Sequence, residues 1–222
     1  MPIDLPSTCI LVLGMHRSGT SLVSAILHTL GVNMGERFRP PDAHNSTGYY
    51  EDLDWRDLNQ SILKHCGASW YRLPAPTRLA NARWEFNTQI ERLVERKSIS
   101  PLWGFKDPRT AITIPIIAPY LPADTRFIFI RRDMPEVVAS LMRRAESRGY
   151  YEPEAHWEML YSEYNKSIVE FLKFHIQHSL IISYKHLTTD IQSRYSVYSI
   201  ADFIGVKDKC LINQACALVK FR

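Results

Sequence analysis

The sequence predicts an α/β fold, a single domain with a central parallel sheet and helices on both faces. Three observations carry that expectation. Short apolar runs of β-type residues alternate with segments of helical period along the chain. The first run, Thr8–Leu13 (TCILVL), is continuously apolar, as suits a strand buried on both faces. The length of 222 residues fits one domain able to bury a sizeable core. Strand–helix alternation at this scale makes the sheet parallel, with crossovers over its faces. One domain is therefore expected over residues 1–222.

After the first strand, Leu22, Val23, Ile26, Leu27 and Leu30 fall at helical spacing over residues 20–30, and Gly31 stops the pattern. Residues 54–66 read as a second helix and 67–76 as a loop. Asn81 is a candidate cap for a helix whose inward face is Trp84, Ile90, Leu93 and Val94. Residues 102–105 form a second short strand candidate, and 126–130 (RFIFI) a third, the clearest after the first. A helix over 135–146 opens with Pro135 in its first turn, where the missing N–H costs nothing. Residues 148–153 read as an exposed linker and 156–176 as a long helix. A fourth strand over 180–184 and helical patterns over 195–204 and 208–219 finish the chain. There is no internal repeat.

Composition narrows the function classes. Hydrophobic residues make up 45% and charged residues 23%, which excludes a disordered chain. The net charge of +4 suits a small polyanionic ligand and is too mild to imply nucleic acid. Cys9, Cys66, Cys210 and Cys216 make no CxxC pair and no zinc spacing, so neither a disulfide framework nor a metal is expected. No apolar run reaches the roughly 18 residues of a membrane span. The N-terminus, MPIDLPSTCILVLG, lacks a basic leader and runs straight into the first strand. A soluble, cytoplasmic protein is expected.

The most informative segment is LVLGMHRSGTSLVSAIL, residues 11–27. Gly14 and Gly19 bound a loop between a strand and a helix, and Thr20 and Ser21 follow. Such a loop turns backbone N–H groups into one concavity at the positive end of a helix dipole, where a phosphate or another tetrahedral anion binds. In the ATP/GTP version, GxxxxGK[ST], a Lys follows the second glycine. Here that position is Thr20, and the full positive charge of the loop is Arg17. Without the Lys, neutralising a transferring γ-phosphoryl group is handicapped.

Gly-Met-His-Arg-Ser-Gly-Thr-Ser, residues 14–21, resembles the 5′-phosphosulfate loop of sulfotransferases that use 3′-phosphoadenosine 5′-phosphosulfate (PAPS). The resemblance implies a P-loop, nucleotide-kinase-like sulfotransferase fold. It assigns Arg17, Ser18, Gly19, Thr20 and Ser21 to the 5′-phosphate and the sulfonate bridge. That family has a second signature, an Arg at a strand end and a Ser eight positions on, which bind the 3′-phosphate. Arg132 and Ser140 match it. The chemistry agrees, since a guanidinium gives paired bonds to a phosphate and a helix Ser adds a directional hydroxyl. Tyr184-Lys-His-Leu187 and Ala201-Asp-Phe-Ile-Gly205 resemble the family's late Tyr-x-x-Leu and Phe-x-Gly segments, so the likeness runs over about residues 8–205. The glycine-rich adenosine segment of cytosolic members is not recognisable.

Sulfonyl transfer needs a base for the acceptor's proton and a fixed cation for the leaving oxygen, with no metal obligatory. Lys106, in Trp103-Gly-Phe-Lys-Asp-Pro-Arg109, falls at a strand end, where α/β sheets present ligand-binding groups. It resembles the family's Lys-x-x-x-Pro lysine, which stabilises the leaving oxygen. Arg109 is a candidate for substrate or phosphate, and Asp107 reads as structural. Asn45-Ser-Thr-Gly-Tyr-Tyr-Glu-Asp52 resembles the Asn-x-x-Gly-Tyr-(Phe/Tyr)-Glu segment of bacterial-type members, which makes Glu51 the expected general base. Tyr49 and Tyr50 would then line the acceptor site. Asp52, His16 and His44 are alternatives, and Asp52 reads equally as a helix cap. Cytosolic members carry a His after the catalytic Lys where this chain has Pro108.

The expected function is transfer of a sulfonate group from PAPS, leaving 3′,5′-bisphosphoadenosine (PAP), to a hydroxyl or amine. The acceptor would be a small molecule, a carbohydrate or a lipid. A P-loop kinase or other phosphotransferase is a second reading, opposed by Thr20 and by the lack of a clear metal-binding Asp at a strand end. A non-catalytic PAPS- or PAP-binding domain is a third, opposed by Glu51 and Lys106.

Overall fold

Side-chain alternation along β1 (Thr8–Leu13) sorts the core into two layers. Cys9, Leu11 and Leu13 join one buried cluster, and Ile10 and Val12 join the other. The computed structural model describes residues 7–38, 40–41 and 48–219. With β2 (Leu102–Lys106), β3 (Thr125–Arg131) and β4 (Ser179–Ser183), β1 builds a parallel sheet in the order β2-β1-β3-β4.

Ile10 and Val12 pack with α1 (Thr20–Thr29), α7 (Tyr184–Leu187), α8 (Asp190–Phe203) and α9 (Lys209–Ala217). The opposite face is covered by α2 (Leu53–His65), α3 (Pro76–Lys97), α4 (Thr110–Ile117), α5 (Met134–Glu146) and α6 (Glu154–Leu172). Three parallel rings, Trp55, Phe105 and Trp103, stack beneath α2, the closest pair 3.7 Å apart between centroids. This is the α/β arrangement the alternation predicts.

The chain leaves β1 for β2 on one side and then crosses to β3 on the other. The sheet therefore has its switch point at the carboxyl end of β1, where open α/β sheets take ligands. Four candidate segments reach that edge: the loop after β1, Lys106 ending β2, Arg131 ending β3 with Arg132 after it, and Tyr184 after β4.

Several boundaries differ from expectation. Helix α3 starts at Pro76, a favoured first-turn residue, so Asn81 lies inside it and caps nothing. Trp84 is 75% exposed, and Phe86 joins Ile90, Leu93 and Val94 on the buried face. That stripe runs at steps of three and four, and Trp84 lies two residues, roughly half a turn, from Phe86. Helix α4 has no periodic signature because it is buried almost all round. The long helix α6 ends at Leu172, followed by a 3₁₀ turn, Ile176–His178, and α8 begins at Asp190. Among the described residues no helix is long and apolar enough to cross a membrane.

Candidate functional site

The loop after β1 has a shape that its glycines permit. Gly19 has φ +99°, and a Cβ there would lie 2.3 Å from Cδ2 of Tyr184. At Gly14 a Cβ would stand 2.8 Å from both Ser18 Oγ and Thr20 Cγ2. Arg17 adopts φ 69°, a left-handed conformation that a non-glycine residue enters at a cost and that cluster at functional sites. Ser18 is buried and donates its hydroxyl to the Met15 carbonyl at 2.6 Å, closing the loop on itself. Thr20 is buried at the start of α1, and no side chain among the described residues caps that helix. Its first turn, Thr20, Ser21 and Leu22, holds no carboxylate, so the dipole's positive end faces the loop.

The loop after β1 and the Arg132/Ser140 pair meet. Arg17 Nε donates to Ser140 Oγ at 2.8 Å, across 123 positions of sequence. Arg132 donates from one Nη to the Arg17 carbonyl at 3.0 Å and from Nε to Glu136 at 2.7 Å. Its guanidinium carbon lies 4.3 Å over the Tyr184 ring, the same ring that fills the space beside Gly19. Tyr161 donates its hydroxyl to the Arg132 carbonyl at 2.7 Å, tying α6 to the end of β3. Burial opposes the charge of Arg17 and lowers its pKa; Tyr49 and Tyr184 favour that charge, while Arg132 and Arg143 oppose it. Positive charge is thus concentrated around Arg17, which an anion would relieve. Arg143 went unnoticed in the sequence. The signal for it is its place on α5 three residues after Ser140, on the same helix face. A cleft of about 880 Å³ opens beside Arg132, lined also by Tyr161, Ser183 and His186.

The end of β2 holds the second group. Lys106 Nζ donates to Glu51 Oε1 at 3.0 Å and to Ser21 Oγ at 3.4 Å. Both charged side chains are buried, with 1% and 5% exposure. Glu51 and Lys106 are therefore brought together, and Ser21 connects them to the phosphate loop. Next to them, Arg109 Nη1 pairs with both carboxylate oxygens of Asp107, at 3.0 and 2.8 Å. Burial raises the pKa of Asp107, Arg109 pulls it down, and the Glu51 carboxylate adds to the rise. Burial would lower the pKa of Arg109, but Asp107 and Glu51 outweigh that and hold it raised.

The alternative bases have other surroundings. Asp52 caps α2 through the Asp54 N–H at 2.9 Å and pairs with Lys97 at 2.7 Å, both side chains buried. It is held by its cap and its ion pair. His16 lies in the loop with its ring 4.7 Å from that of Trp70. His44 lies outside the described residues, as do Asn45, Ser46 and Thr47 of its motif. Tyr49 is buried, while Tyr50 has φ 50° and packs against Phe38 and His28. Among the described residues no group of three or more His, Cys, Asp or Glu side chains is placed to hold a metal ion.

A parallel sheet with a glycine-bounded loop at its switch point defines the class of P-loop-like α/β proteins. Within it, the Sulfotransferase family matches residues 9–209, and the chain belongs to that family. A search of curated proteins gave no match. Among solved structures, the sulfotransferase domain from the curacin biosynthetic pathway is similar with a TM-score of 0.56 and 21% identity, over 94% of this chain and 77% of that one. Mouse sulfotransferase SULT7A1 complexed with PAP gives 0.51 and 13%, over 97% and 64%. Retinol dehydratase, in complex with androsterone and the inactive cofactor PAP, gives 0.50 and 16%, over 97% and 65%. At these identities the likeness is one of fold. The chain spans just under two thirds of the last two proteins.

Proposed function

We propose that this chain is a PAPS-dependent sulfotransferase that moves a sulfonate group to an acceptor hydroxyl or amine, leaving PAP. One observation carries the reading: the 2.8 Å bond from Arg17 to Ser140 joins a 5′-phosphate loop to a motif suited to a 3′-phosphate. A ligand with phosphates at both ends of a ribose would meet both. The glycine-bounded loop, the start of α1 with no side-chain cap and the guanidinium groups of Arg17 and Arg132 are the donor set that such an anion requires. The PAP named with two of the similar structures is consistent with it.

The bound nucleotide supplies the sulfonate. Arg17, Gly19, Thr20 and Ser21 hold the 5′ end, with Ser18 bracing the loop, and Arg132 and Ser140 hold the 3′-phosphate. Glu51 accepts the acceptor's proton at Oε1, releasing its hold on Lys106 as it is neutralised. The freed Lys106 ammonium then faces the oxygen on which charge develops, and Ser21 keeps it directed there. A cation held in place beforehand lowers the barrier because nothing must reorganise at transfer. The acceptor is a small molecule, a carbohydrate or a lipid, and the setting is the cytoplasm.

The test is transfer of ³⁵S-sulfonate from PAPS to a panel of phenols, sugars and lipids. Wild type labels an acceptor, and Glu51→Gln loses about 10²–10⁴ in rate while still binding PAP. Transfer from the γ-phosphate of ATP in place of PAPS, or full activity of Glu51→Gln on a working acceptor, would overturn the reading.

A further inference from the structure

A cavity of about 210 Å³ is lined by Gln60, Leu63, Lys64, Ala68, Ser69, Trp70 and Arg109, and the Glu51 carboxylate acts on that Arg109 electrostatically. It is smaller than the roughly 300–1,000 Å³ of pockets that enclose whole ligands, so it suits one end of a molecule. Two of its walls belong to the candidate site. Arg109 follows Lys106 by three residues, so their Cα atoms are at most about 11 Å apart. The His16 ring of the loop after β1 lies 4.7 Å from that of Trp70, tilted by 59°. The Tyr164 hydroxyl donates to the Trp70 carbonyl at 2.7 Å and fixes that wall.

The chemistry of the cavity is that of an anion site. Arg109 spends Nη1 alone on Asp107, and its own N–H also bonds to that carboxylate at 2.8 Å. The fork is therefore held rigid, and its Nε–Nη2 edge has no acceptor among the described residues. Two coplanar donors match the two coplanar oxygens of a carboxylate. Asp107 balances Arg109, which leaves the charge of Lys64 on the rim uncompensated by any ion pair among the described residues. One monoanionic group neutralises the cavity.

Resting on the sulfotransferase reading, we propose that this cavity is the anion end of the acceptor site. The acceptor carries a carboxylate gripped by Arg109 and Lys64, and presents its hydroxyl to Glu51. Trp70 packs on the connecting ring.

The test is an NMR titration of the full chain, with and without PAP, using 4-hydroxyphenylacetate and its uncharged amide. The acid shifts the Trp70 indole signal, saturates, and binds about tenfold more tightly than the amide. Arg109→Lys keeps a cation for Asp107 but loses the planar fork and weakens the acid about tenfold. Lys64→Gln, at an exposed position on α2, weakens it several-fold and decides the matter if Arg109→Lys does not fold. No saturable binding of the acid, equal binding of acid and amide, or wild-type affinity in Lys64→Gln overturns the proposal. PAP binding without acid preference sinks this inference alone. Acid preference without PAP binding sinks the sulfotransferase reading and leaves the anion site standing.

Discussion

Replacing Lys106 by Met keeps much of the side chain's volume and removes its charge. The ammonium is buried at 1% exposure and pairs with Glu51, itself 5% exposed, at 3.0 Å. Lys106→Met takes the ammonium away from that carboxylate, which lies near the buried Asp107. Removing one partner of a buried pair costs about 3–5 kcal/mol. For a domain of this size each kcal/mol lowers Tm by about 2–4 °C, so a fall of roughly 6–20 °C is expected. Adding Glu51→Gln removes the buried carboxylate charge that Lys106 no longer balances, and the double variant should recover at least half of the loss. Urea unfolding of wild type, both single variants and the double variant closes the cycle, and the coupling energy should be at least the roughly 1.5–2.5 kcal/mol recovered plus the cost of Glu51→Gln alone. Both single variants should lose about 10²–10⁴ in rate and the double no less, so the recovered stability comes without recovered turnover. Additive effects of the two substitutions would refute the claim that the pair is a buried charge pair retained for chemistry.

Two further outcomes concern the frame of the site. Gly19→Ala must place a Cβ 2.3 Å from the Tyr184 ring at φ +99°. It should cost at least about 2 kcal/mol, the left-handed penalty plus the clash, and calorimetric unfolding should show part of that relieved by Tyr184→Ala. Burial raises the Cys9 thiol well above its ordinary value of 9.0. The unfolded chain then releases this proton first, so stability falls as pH rises above about 9, and Cys9→Ala should flatten that alkaline slope in urea titrations.

The sheet was readable because each strand carries its own signal. The TCILVL run of β1 and RFIFI of β3 are buried on both faces, and no helix of that length competes for them. The glycine-bounded loop after β1 was equally plain, since Gly14 and Gly19 stand where side chains do not fit. Long-range geometry was not. Nothing local in the sequence tells that Arg17 bonds to Ser140, or that Tyr184 fills the space beside Gly19. Helix α4 escaped because all-round burial erases periodicity. The start of α3 was misplaced because Asn81 imitates a cap, while the real start is Pro76. Asp52 and Glu51 are adjacent carboxylates, indistinguishable by type. Burial against Lys97 and a cap to Asp54 separate one from the other, beside Lys106.

The central claim is that Arg132 and Ser140 complete a site for a nucleotide with a second phosphate on its ribose. Isothermal calorimetry with PAP and with AMP tests it on wild type and Arg132→Gln. A charge-assisted contact of about 2 kcal/mol makes PAP roughly 30-fold the tighter ligand in wild type, and most of that preference disappears in Arg132→Gln. Equal affinities for PAP and AMP in wild type, or a PAP preference that survives loss of the Arg132 guanidinium, would contradict the account.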